Sequence, residues 1–177
     1  SGYYLSFIGL GLSMAVIGPT LPRFVELTGT SYAAVSYLTL AKSLGYLIGT
    51  AQAGQLYDRL PGHKLIVAAL ATMAAMIAFV PFVPLIWVLG AVLFVSGLGD
   101  AVLDVGANSL IVWVHKRNVD PFMNALHFCF GVGAFLAPLV IAFAISVSDG
   151  IALAYWVVAG FLVLPAIWLF RLNSPRP

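Results

Sequence analysis

The 177-residue sequence predicts an all-α membrane protein, with six transmembrane helices arranged as two inverted three-helix repeats. Three observations predict it. The composition is 62% hydrophobic and only 8% charged, with a mean hydropathy of +1.07, whereas a soluble domain carries about a quarter charged residues. The chain divides into six apolar runs, each near the roughly 20 residues that a spanning helix needs. Glycines recur when the sequence is slid along itself by 88 residues, as expected of an internal repeat.

The same numbers exclude other classes. A soluble enzyme or binding module does not fit, and low charge with high apolar content excludes disorder. Eight Lys/Arg against six Asp/Glu are scattered along the chain, so no basic face for nucleic acid exists. The single cysteine, Cys129, lies in an apolar run and rules out a disulfide framework or a cysteine metal site. The sequence has no metal-ligand spacing, nucleophile elbow or phosphate loop, so no enzymatic activity is expected.

The runs fall near residues 3–21, 31–57, 65–82, 85–114, 122–147 and 151–170. They lack the apolar–polar alternation of barrel strands. Pro19, Pro22 and Pro138 are expected to kink their helices. Tyr3, Tyr4, Trp87, Trp113, Tyr155 and Trp168 lie mostly near span ends, as interfacial anchors do. The 58–64 link, the 115–121 link and the C-terminal segment with Arg171 and Arg176 fall on one side and hold six of the eight Lys/Arg. The positive-inside rule therefore places both termini in the cytoplasm. The first run has no basic region before it and reads as a retained span, not a signal peptide.

At the offset of 88, Gly9-Leu10-Gly11 lands on Gly97-Leu98-Gly99, Gly18 on Gly106 and Gly45 on Gly133. Spans one and four match, as do spans two and five. Residues 1–177 thus form one bundle of two units, about 1–84 and 85–177. Three spans per unit is odd, so the second unit enters the membrane from the opposite side, the inverted-repeat plan of secondary transporters. Such a bundle forms one wall of a cavity. It is expected to pair with a second six-helix half, either another copy or a C-terminal half.

Ionisable residues within a span are costly and are functional candidates by default. Asp100, Asp104 and Asn108 share one face of span four at i, i+4 and i+8. They read as a cation or proton site, with Asn108 and Asp104 also able to hydrogen-bond a polar substrate. Lys42 lies about eleven residues into span two, too deep to snorkel, and its expected partner is Asp100 or Asp104. One lysine cannot neutralise both carboxylates, so the second must be protonated, bind a cation or face water. Asn124 and His127, in the first turns of span five, and Gln52, on roughly the same side as Lys42, Gly45 and Gly49, are further candidates. Gly45, Gly49 and Ala53 form a small-residue stripe suited to close helix packing.

Gly54-Gln55-Leu56-Tyr57-Asp58-Arg59-Leu60-Pro61-Gly62-His63-Lys64 resembles the loop signature of the major facilitator superfamily, G-x-x-x-D-R-x-G-R-R/K between spans two and three. One residue is inserted before Gly62, and His63 stands where arginine is usual. By that resemblance the chain is the N-terminal six-span half of a major facilitator fold, and Gly54, Asp58, Arg59, Gly62 and Lys64 form a gating loop that docks against the other half. The 97–108 stretch, with Asp104 four before Asn108, is similar to span four of the fucose permease branch. The 124–134 stretch, Ala137-Pro138 and Gly18-Pro19-Thr20-Leu21 are similar to sodium-dependent glucose transporter-like members. The fucose permease branch carries a second acidic residue in span one, where this sequence has Gly18.

The resemblance implies a secondary active transporter of a small polar solute, a hexose-type sugar, coupled to Na+ or H+ by alternating access. Asp104 would be the coupling carboxylate and Asn108 a sugar or ion ligand, with Na+ at Asp104 and Asp100 if sodium is the coupling ion. Lys42 and Asp100 would be a charge pair that responds to occupancy. The expected partners are the sugar, the lipid bilayer of the cell membrane and the second half. Two rivals stand beside this reading: a non-transporting membrane assembly protein that uses its buried charges only for pairing, and a lipid or drug carrier on the same fold.

Overall fold

The computed structural model describes residues 2–175. Arg176, counted above among the basic residues of one side, lies outside the described residues. Seven helices of at least twelve residues are present, with no strand among the described residues: α1 (Gly2–Ala15), α2 (Ile17–Thr28), α3 (Tyr32–Arg59), α4 (Gly62–Phe79), α5 (Ile86–His115), α6 (Asp120–Ser148) and α7 (Ala152–Phe170). Two 3-10 turns, Val80–Phe82 and Lys116–Asn118, follow α4 and α5.

The first expected run is in fact two helices, bent by 43° at Val16. Pro19 explains the break. It has no N–H to offer the carbonyl of Ala15, and its ring crowds that carbonyl. The helical chain then continues beyond residue 21 to Thr28, where Gly29 closes α2 in the left-handed region at φ 62°. Pro138 and Pro165 sit inside α6 and α7 without interrupting either helix. Ser31 starts α3 by accepting a hydrogen bond from the Ala34 N–H at 3.2 Å.

Four helices are long and apolar enough to cross a membrane: α4 to α7, with α4 and α5 counted together with their adjoining turns. A fifth is added if α1 and α2 count as one broken span. Helix α3 has the length, at 28 residues, but Lys42, Gln52, Gln55, Asp58 and Arg59 lower its apolar content. The six spans expected from the sequence therefore reduce to four or five on length and composition.

Helix α3 lies along α5, α1 lies along α6, and α4 packs against both α5 and α7. Phe7, Leu10, Ile66, Met73, Leu93 and Leu162 fill the interior. Trp87 and Trp168 are 87% and 53% exposed, as interfacial anchors would be. Tyr155 is not an anchor: it is fully buried, its hydroxyl hydrogen-bonds Thr20 Oγ1 at 2.9 Å, and its ring meets Phe24 edge-on. The hydroxyl pair satisfies its polar end inside the core.

Two crossings bring main chains together. Where α3 meets α5, a Cβ on Gly97 would strike the Lys42 carbonyl and lie 3.0 Å from Tyr46 N; one on Gly45 would strike the Phe94 carbonyl. Where α1 meets α6, a Cβ on Gly11 would strike the Phe130 carbonyl and lie 2.7 Å from Ala134 N; one on Gly133 would strike the Ile8 carbonyl. Only glycine permits such approach. The packed counterpart of Gly97 is thus Gly11, 86 positions earlier, and not Gly9, while Gly45 and Gly133 keep the offset of 88.

Candidate functional site

The α3–α5 crossing carries the ionisable residues. Lys42 and Tyr46 are one helical turn apart on α3, and Asp100 and Asp104 are one turn apart on α5. Close packing through Gly45, Gly49 and Gly97 sets these pairs against each other as two rungs.

The first rung is sealed. Lys42 Nζ lies 3.0 Å from Asp100 Oδ2, with side-chain exposures of 8% and 0%. The ammonium also donates to the Ser13 carbonyl at 2.7 Å and to Ser13 Oγ at 3.1 Å. Ser13 Oγ in turn donates to Asp100 Oδ1 at 2.8 Å. Ser13 on α1 therefore completes a three-helix cluster. Asp100 Oδ2 has the ion-pair contact but no aligned hydrogen bond. Mutual neutralisation is what makes this burial affordable in a medium where a lone charge costs several kcal/mol.

The second rung is half-open. Tyr46 donates its hydroxyl hydrogen to Asp104 Oδ2. Asn108 Nδ2 donates to Asp104 Oδ1 at 2.9 Å and to the Asp104 carbonyl at 2.9 Å. Asp104 is half-buried, and no cation of the chain pairs with it among the described residues. Its two partners are neutral donors, which orient a carboxylate without cancelling its charge.

A cleft of about 390 Å³ opens beside these rungs, within the usual range of about 300–1,000 Å³ for small-molecule sites. Thr39, Lys42, Ser43 and Tyr46 of α3 form one wall; Met14, Ala15, Ile17 and Gly18, at the α1–α2 break, form the other. One wall presents hydroxyls and the other is apolar. Asp100, Asp104 and Asn108 do not line it. Tyr46 does, and it stands between the cleft and Asp104.

The remaining candidates lie elsewhere. Gln52 is exposed, whereas Lys42, Gly45 and Gly49 are buried, and it does not line the cleft. Asn124 and His127 are exposed on α6, with the His127 ring edge-on to Phe7 at 5.9 Å. Neither lines the cleft. Ser13, Thr39, Ser43 and Tyr46 were not singled out in the sequence. Tyr46 had a signal there, because it follows Lys42 by the same four residues that separate Asp100 from Asp104. The three hydroxyls of Ser13, Thr39 and Ser43 had none.

Residues 3–177 match the description of the Major Facilitator Superfamily. The chain belongs to the Major Facilitator Superfamily. It is similar to sodium-dependent glucose transporter 1 of Danio rerio, 35% identical over 135 residues that cover 76% of this chain and 23% of the relative. The Homo sapiens relative of the same name is 34% identical over 140 residues, 79% and 27%. That of Xenopus laevis is 30% identical over an alignment of 187 positions, 92% and 38%. The chain thus spans 23% to 38% of the length of these relatives. It is an integral, multi-pass membrane protein of a transporter family.

The superfamily loop motif lies at the far end of α3. Gly54, Asp58, Arg59 and Lys64 are exposed, and a Cβ at Gly54 would meet open space. Gly62 is buried against Leu110, where a Cβ would come within 2.8 Å. Asp58 and Arg59 make no ion pair among the described residues. With Trp113 and residues 173–175 they line a cleft of about 610 Å³. His63, at the unusual motif position, is buried: its Nε2 lies 2.7 Å from Tyr3 OH and its Nδ1 3.2 Å from the Leu172 carbonyl. His63 ties the loop to the start of α1 and to the chain just past α7.

Proposed function

We propose that this chain is the N-terminal half of a sugar transporter, or a half that pairs with its own copy, and that it moves a hexose-type solute by alternating access coupled to Na+ or H+. In this reading the six spans include α3, whose Lys42 and Tyr46 face α5 and the cleft, and both termini are cytoplasmic. The two glycine crossings support the repeat of three helices, since α3 against α5 and α1 against α6 use corresponding glycines. The exposed Asp58 and Arg59 have the free charge needed to dock against a second half.

The observation that carries the reading is Asp104, a carboxylate in a membrane helix, half-buried, held by two neutral donors and matched by no cation among the described residues. Such a group is suited to take up a coupling cation. The cleft fits the substrate class, because a pyranose presents hydroxyls at its edge and C–H groups on its face. The names of the relatives point the same way. Lys42 and Asp100 form the occupancy-responsive pair, and Asp104 binds the ion, as Na+ or as a proton.

Labelled hexose uptake into proteoliposomes, with a Na+ or proton gradient imposed, tests this. Gradient-driven accumulation is expected, and Asp104→Asn is expected to abolish accumulation while leaving hexose exchange. Accumulation unchanged in Asp104→Asn would remove Asp104 from the coupling role. A competition panel of hexoses against amphiphiles separates the sugar reading from a lipid or drug carrier, which the apolar wall of Met14 and Ile17 would also admit.

A further inference from the structure

Tyr46 occupies a position that no other polar side chain of the site shares. It lines the cleft with Thr39, Lys42 and Ser43, and its hydroxyl is one of the two side-chain donors to the Asp104 carboxylate. The other donor, Asn108, does not line the cleft. Lys42 lines it too, but its ammonium is held by Ser13 and Asp100. Of the side chains that line the cleft, Tyr46 alone hydrogen-bonds the Asp104 carboxylate.

We infer that Tyr46 is the coupling switch, a positioning residue that exchanges its hydrogen bond between Asp104 and a hydroxyl of the bound sugar. This rests on the reading of Asp104 as the coupling carboxylate. A tyrosine has a single O–H, so it cannot donate to both partners at once. When a sugar hydroxyl accepts from Tyr46, Asp104 Oδ2 loses its donor. In a low-dielectric site an unpaired oxygen of a charged group is costly, and the coupling cation becomes its replacement partner. The order also runs in reverse. A cation on Asp104 releases the tyrosine hydrogen for the sugar. Each ligand then strengthens the other by the same factor, as linkage requires. The switch breaks no covalent bond: the phenolic O–H turns from Asp104 on α5 to a sugar hydroxyl in the cleft between α3 and the α1–α2 break.

The test is the hexose half-saturation, measured with and without the coupling cation in cells expressing the protein at its native length. The wild type is expected to bind hexose more tightly with the cation, by a factor in the ordinary linkage range of about 5- to 150-fold. Tyr46→Phe keeps the ring that walls the cleft and removes only the hydroxyl. It is expected to weaken hexose binding several-fold and to bring the cation factor to about one. Asn108→Ala removes the other donor and is expected to weaken the cation while keeping the factor at saturating cation. A wild-type factor in Tyr46→Phe, or its equal loss in Asn108→Ala, would overturn the switch while leaving Asp104 as the ion site. No cation effect in the wild type would overturn both. Should Tyr46→Phe fail to fold, the unmodified protein still decides the matter with a panel of monodeoxyglucoses. One analogue, lacking the hydroxyl that takes the tyrosine hydrogen, is expected to bind without any cation effect, and a cation effect retained by every analogue would overturn the inference.

Discussion

Where α3 crosses α5, Gly97 meets the main chain of Lys42 and Tyr46; where α1 crosses α6, Gly11 meets the main chain of Phe130 and Ala134. The two crossings are equally close and differ in what flanks them. Three and seven residues beyond Gly97 stand Asp100 and Asp104; at the same distances beyond Gly11 stand Met14 and Gly18. Every ionisable group of one crossing is thus replaced in the other by an apolar side chain or by none. A tight crossing in the membrane needs glycines and nothing more. The charges of α3 and α5 are an addition to the packing, and a buried ion pair is seldom more stabilising than the apolar residues that fit in its place. The difference teaches that close approach of two helices here does not depend on the charges.

Breaking the pair on one side alone should have the largest effect. Lys42→Met leaves Asp100 fully buried, without its cation and served only by Ser13. Asp100→Leu leaves the ammonium without its counterion. Each is expected to destabilise the protein by about 3–5 kcal/mol, read from thermal unfolding in detergent. A small change in either would mean that water reaches the pair.

The glycines test whether the two crossings are mechanically alike. Gly45→Ala and Gly11→Ala both force main chains apart, with costs of about 1–3 kcal/mol each, and the two melting curves should shift by similar amounts. Gly18→Ala and Gly131→Ala meet open space and should stay within about 0.5 kcal/mol of wild type. A large loss at Gly11 alone would show that the α3–α5 crossing is held by its charges rather than by its packing. The smallest effect belongs to Arg23, whose contacts with Glu26 at 2.8 Å and Asp149 at 3.3 Å are exposed. Arg23→Ala should leave the melting curve unmoved.

How far the sequence revealed this arrangement follows from the kind of signal each feature leaves. Long apolar runs located the helices, because hydrophobic length is a property of the chain alone. The break at Val16 was displaced from its cause, since proline disrupts the carbonyl four residues before it. Matching glycines were visible at one offset, but which of Gly9 and Gly11 makes the close crossing was not, because the two look the same until main chains are seen to touch. Tyr155 was misjudged as an anchor because a tyrosine near a span end reads alike whether its hydroxyl faces headgroups or Thr20. The i, i+4, i+8 face of Asp100, Asp104 and Asn108 was legible from helical geometry. Which carboxylate Lys42 meets was not, since that depends on how far α3 slides along α5. Ser13 became visible only through tertiary contact.

The most direct test removes the charge and keeps the volume. In the double variant Lys42→Met/Asp100→Leu the sealed rung of the α3–α5 crossing becomes apolar while Tyr46 and Asp104 stay in place, and gradient-driven hexose uptake is measured beside the melting curve. The account predicts a melting temperature within a few degrees of wild type and at least about a tenfold loss of uptake. Wild-type uptake in an equally stable double variant would contradict it and would leave the pair as a packing element of the membrane assembly.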